Sequence, residues 1–155
     1  MSPTELKSIL QRFVDYVSDP GEKVDEVLLE LCDRVVSAFH AANYDATRYA
    51  FNQDEPSPAP REDYTSRRAK ISANFPDYGY YRPAAHNEDD EGEEVLGDAV
   101  DDLADLLADF EEMIWRFDHT REDDALWHFH NGYWTHWGLH MRELQLYLFR
   151  KVTRI

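Results

Sequence analysis

A single cysteine, Cys32, excludes an intrachain disulfide and fits a reducing compartment. No apolar run approaches the ~20 residues needed to span a bilayer. The opening residues, MSPTELKSILQRF, set Glu5, Lys7 and Arg12 among apolar positions, so no secretory leader is expected there. A cytoplasmic location without a membrane partner follows as the expectation. With only six glycines the chain has no Gly-rich phosphate loop, and no Ser or Cys nucleophile has a recognisable His partner. Positive charge is scarce as well: 16 Lys and Arg stand against 32 Asp and Glu, a net charge of −16. The deficit is local. From Glu88 to Asp124 there are 17 acidic and 2 basic residues, whereas the rest of the chain has 15 acidic and 14 basic. Such a field repels nucleic acid and anionic lipid, so no nucleic-acid partner is expected. It attracts a basic protein partner, and solubility alone also accounts for it.

What is present reads as one helical domain over residues 1–155, long enough to bury a core. Ser2-Pro3-Thr4-Glu5 is a capping box with proline at the first helical position. Leu6, Ile9, Leu10, Phe13 and Val17 then recur at helical spacing until Asp19-Pro20-Gly21. A second helix is predicted from about Glu22 to Ala42 on the stripe Val24, Val27, Leu28, Leu31, Val35, Ala38 and Phe39, with Cys32 beside it. Residues 43–63, which contain three prolines, read as an irregular loop. A short third helix is predicted over Tyr64–Ala73, ending before Phe75-Pro76. Tyr64, Arg67, Arg68, Lys70, Tyr78, Tyr80, Tyr81 and Arg82 make this region basic and aromatic. Docking onto the acidic half explains that mixture better than nucleic-acid binding does. Residues 86–94 form an acidic run read as flexible.

The fourth helix is predicted from near Glu93 to Phe117. Its apolar stripe is Leu96, Ala99, Val100, Leu103, Leu106, Leu107, Phe110, Met113, Ile114 and Phe117. Asp98, Asp101, Asp105, Asp109 and Glu112 fall on the opposite side, and Asp102 lies nearer the stripe's edge. The fifth is predicted from Glu122 to about Val152, burying Leu126, Phe129, Tyr133, Trp137, His140, Leu144 and Tyr147. Gly138 is unfavourable inside a helix and implies a close approach of another backbone or a Trp ring. The short linker makes the two helices antiparallel. Matching Phe117 with Leu126 puts His136 and His140 within a turn of Asp102 and Asp105, with Trp134 and Trp137 as a roof and Tyr133 as a further supporting aromatic.

Two readings stand for this cluster. One is structural, an Asp holding the ring nitrogen of a buried His. The other is a divalent metal site, since two His at i, i+4 facing carboxylates is how bundle sites are built. Asp101-Asp102-x-x-Asp105 is also loosely similar to the acidic helix motif of all-α, magnesium-dependent nucleotide pyrophosphatases. Those enzymes need a second facing motif. Glu26 and Glu30 could supply it only by turning away from their own apolar stripe.

Two segments resemble a bacterial family known only as domain of unknown function 5063. One is Gly97-Asp98-Ala99-Val100-Asp101-Asp102-Leu103-Ala104-Asp105-Leu106. The other runs from Ala125 to Leu144 around His136-Trp137-Gly138-x-His140, and Phe75-Pro76 with Tyr80-Tyr81 is a weaker echo. The resemblance implies an intracellular helical protein and marks the His–Asp cluster, without supplying a substrate.

The expectation is therefore an all-α bundle of about five helices, the last two long and paired. It is read first as a non-catalytic interaction module without a cofactor, offering Asp98, Asp101, Asp109 and Glu112 to a basic partner. The alternative is a metal-binding protein or metal-dependent hydrolase built on His136, His140, Asp102 and Asp105.

Overall fold

The computed structural model describes residues 1–42, 59–83 and 96–155. The acidic run 86–94 and most of the loop expected over 43–63 lie outside the described residues.

Helix α1 (Pro3–Ser18) starts from the expected box: Glu5 N–H donates to Ser2 Oγ at 3.2 Å, and Ser2 N–H to Glu5 Oε2 at 2.6 Å. Gly21, at φ 142°, turns the chain towards α2 (Asp25–Ala41). That helix begins three residues later than Glu22, and its buried face is centred on Leu28, Cys32, Val35 and Phe39, leaving Val24 and Val27 exposed. Helix α3 (Tyr64–Asn74) is capped by Asp63, whose carboxylate accepts from Ser66 N–H.

The fourth helix corrects the expected start. Leu96 is exposed, and Gly97 and Asp98 are extended, pairing as β2 (Gly97–Asp98) with β1 (Tyr80–Tyr81) in antiparallel register. Helix α4 (Ala99–His119) starts only after them. The physical reason is Asp98 itself, whose side chain accepts from Val100 and Asp101 N–H as the helix cap.

After Thr120 and Arg121 the chain returns as α5 (Glu122–Gly132), a π-helical turn (Tyr133–Trp137) and α6 (Gly138–Thr153). The junction residues keep right-handed helical dihedrals, so these three segments run on as one rod. Counted so, the described residues form an all-α fold of five helices with one two-stranded clasp. The rod α5–α6 packs on α2 and α4, and α1 packs on the same two, closing a ring around a shared core. Helix α3 lies outside the ring, against α4 and α1.

The π turn also corrects the expected stripe. The inward positions are Leu126, Phe129, Trp137, Met141, Leu144 and Leu148, with Tyr133, His140 and Tyr147 half-buried beside them. Steps of four from Phe129 to Met141 would drift by roughly 120° in a regular α-helix. The wider π turn absorbs that drift and keeps one face inward. Trp137 is fully buried there, edge-on to Phe110 at 5.3 Å and stacked on Phe129 at 5.1 Å, and its Nε1–H donates to Phe129 O at 2.9 Å. A Cβ on Gly138 would lie 2.1 Å from Tyr133 O, so glycine is what permits this turn. No helix among the described residues is long and apolar enough to cross a membrane.

Candidate functional site

The antiparallel pairing of α4 with the α5–α6 rod brings His136 and His140 against a row of three aspartates. Asp102 is buried, and its Oδ1 lies 2.7 Å from His140 Nδ1. Its other oxygen accepts from the Tyr81 hydroxyl. A carboxylate only accepts, so Asp102 favours a proton on His140 Nδ1, and in the neutral ring this leaves Nε2 for what lies beyond. That atom stands 3.3 Å from Asp105 Oδ2. His136 repeats the arrangement one turn away: its Nδ1 lies 2.6 Å from Asp109 Oδ2. The two imidazoles meet edge to face at 4.9 Å. Asp105, His136 and His140 thus present ligand atoms all within 4.8 Å of one another.

The electrostatics follow from this packing. The hydrogen bond to Asp102 raises the His140 pKa against the opposing effect of burial. Burial raises the Asp105 pKa, with His140 pulling the other way. His140 Nε2 and Asp105 Oδ2 are close enough to share a proton. Glu143, three residues beyond His140, is buried on the same side, close enough for its charge to act on Tyr81.

The remaining sequence-predicted residues fall elsewhere. Asp98 is the α4 cap and pairs with Arg68 at 2.7 Å. Asp101 accepts from the Tyr64 hydroxyl. Glu112 accepts from Arg61 and, at 3.0 Å, from Arg116. Burial alone would raise the Glu112 pKa, but these two guanidinium groups outweigh it and hold it low. The stripe read as facing a partner is therefore engaged within the chain at all four positions, Asp109 included. Helix α3 engages its N-terminal part, Asp98 and Asp101, as the basic and aromatic composition of 64–82 implied. The Trp roof is not formed. Trp134 is 77 % exposed and lies edge-on to Tyr133, while Trp137 points into the core. Tyr133 stacks on Phe39 at 3.8 Å, on the side of α2 rather than over the histidines. Glu26 and Glu30 are exposed, Glu30 pairing with Arg34 on its own helix, and do not face Asp101 and Asp102.

Sequence reasoning missed Tyr81 as a member of the cluster and assigned Asp109 to the outer stripe. The clasp between β1 and β2 delivers Tyr81, and no helical periodicity could reveal it. Beside His136 and Asp109 opens a cleft of about 280 Å³, lined also by Arg61, Glu112, His128 and Asn131.

Among curated proteins and among solved structures nothing matches this chain. A family model does match it over residues 5–148, spanning both the Asp-rich α4 and the His-bearing rod, and the chain belongs to that family, described as Domain of unknown function (DUF5063).

Proposed function

We propose that this protein binds one divalent transition-metal ion between α4 and the π turn, with His140 Nε2, Asp105 and His136 as ligands. One observation carries the reading: each histidine has its Nδ1 held by a carboxylate, Asp102 for His140 and Asp109 for His136. Outer carboxylates of this kind orient metal-ligating imidazoles and raise their basicity. Two ligands ~2.1 Å from a tetrahedral ion lie ~3.4 Å apart. The 3.3 Å between His140 Nε2 and Asp105 matches that separation. Mixed imidazole and carboxylate ligation suits zinc or iron better than magnesium. Three protein ligands leave a position for water or a substrate, the pattern of reactive rather than structural sites. A cleft opens beside one of the three ligands, His136. Lewis-acid assistance to hydrolysis is the chemistry such an ion would supply.

An interaction module with an acidic face is less well supported, because Asp98, Asp101, Asp109 and Glu112 already hold partners inside the chain.

Protein purified without a histidine tag should contain, or take up from zinc solution, one ion per chain by elemental analysis. Asp105→Asn and His136→Gln should each weaken zinc binding ~10-fold or more while leaving the helical fold intact. Absence of zinc binding, or binding indifferent to both substitutions, would remove the proposal.

A further inference from the structure

His140 is held by Asp102, and Asp102 is held in turn by a side chain from a distant part of the sequence. Its Oδ1 is taken by His140 Nδ1 and its Oδ2 by the Tyr81 hydroxyl. With both oxygens committed, the carboxylate cannot rotate without breaking one contact. Tyr81 reaches it through two features of the clasp. The β1–β2 pairing sets Tyr81 opposite Gly97, and Gly97 has no side chain to stand in the way. A Cβ there would lie 2.3 Å from two carbons of the Tyr81 ring. The same ring leans on Tyr147 of α6, with centroids 5.5 Å apart.

We propose that Tyr81 is a positioning residue of the cluster: its hydroxyl fixes Asp102, which fixes the ring plane and tautomer of His140 and so aims Nε2 at Asp105 and His136. Its effect on metal affinity rests on the metal-binding reading, whereas its effect on the tautomer does not. The clasp thereby ties the segment after α3 to the state of an imidazole on α6.

The test compares the full chain with its Tyr81→Phe variant, metal-free, by heteronuclear NMR of the His140 ring nitrogens at alkaline pH, where the ring is neutral. Zinc titrations follow on both proteins. The unaltered chain should show the proton on Nδ1, and the variant a mixture of the two tautomers. Zinc affinity should fall by up to ~10-fold, the lower end of what direct outer partners of metal-ligating histidines contribute, because Tyr81 acts through Asp102. A variant whose His140 nitrogens match those of the unaltered chain overturns the proposal, whatever its stability. Should Tyr81→Phe fail to fold, Gly97→Ala serves in its place. It retains the hydroxyl but pushes the ring aside, and an unchanged His140 signature there overturns the proposal equally. If neither protein binds zinc, the metal reading fails alone, and the tautomer comparison still decides the role of Tyr81.

Discussion

His130 lies against Phe39 and Phe129, with ring centroids 4.8 and 5.7 Å away. Burial disfavours its charged form and pulls its pKa from 6.5 down to about 4. The consequence for stability has a definite sign. The unfolded chain takes up a proton on this ring below about pH 6.5, and the folded chain only near pH 4. The neutral ring's contribution is therefore complete above the unfolded value and is lost as pH falls from 6.5 towards 4, by up to ~1.4 kcal/mol per pH unit. His130→Phe should flatten this acid limb: across that window its urea midpoint should fall less than that of the unaltered chain. Parallel curves for the two proteins would show that His130 is not held neutral. Cys32 shows the same physics without a switch. Burial raises its thiol pKa, so it behaves as a small apolar side chain in the core.

At the scale of the element, the π turn is the feature that departs most from helical regularity. Gly138 shows why a helix-unfavourable residue is useful there. Alanine ordinarily stabilises a helix over glycine by ~1 kcal/mol. Here its Cβ would meet the Tyr133 carbonyl, a backbone atom that cannot swing aside. Gly138→Ala is therefore expected to lower stability by ~1–3 kcal/mol, the range for forced overpacking. Urea unfolding checks it, and a gain in stability would mean that the turn relaxes to a regular α-helix without cost. Helix α4 carries the opposite lesson. Its acidic side reads as solvent-facing, yet Asp98, Asp101, Asp105, Asp109 and Glu112 are all partly covered. Charge pattern identifies what is polar, and only the docking of α3 and of the π turn decides what covers it.

For the whole molecule, the net charge of −16 sets up self-repulsion that opposes the compact state. The ion pairs working against it, such as Lys7–Asp118 and Arg34–Glu30, are largely exposed and each worth little. Raising sodium chloride from ~0.01 M to ~1 M shortens the screening length from ~30 Å to ~3 Å. The melting temperature should then rise by a few degrees in calorimetry. A fall would mean that the ion pairs, among them the buried Arg116 bridging Glu112 and Asp124, outweigh the repulsion.

Much of this architecture is local information. Ser2 and Glu5 carry the first cap, the apolar spacing of α4 carries its core face, and the short Thr120–Arg121 connection makes the last two helices antiparallel. That much also brought the two histidines level with the aspartates of α4, because rise per residue along a helix is nearly fixed; His140 meets Asp102 and Asp105, whereas His136 pairs with Asp109. Three things depended on tertiary structure. The π turn arises from the fit of Trp137 between Phe110 and Phe129, and helical periodicity assumes it away. The Tyr81 hydroxyl reaches Asp102 through a strand pair only two residues long, too short to leave a pattern of its own. Finally, Asp109 exchanges an outward role for a partnership with His136 because the rod packs on that side of α4. Helices and their faces follow from neighbours in sequence, whereas the partners of polar side chains follow from neighbours in space.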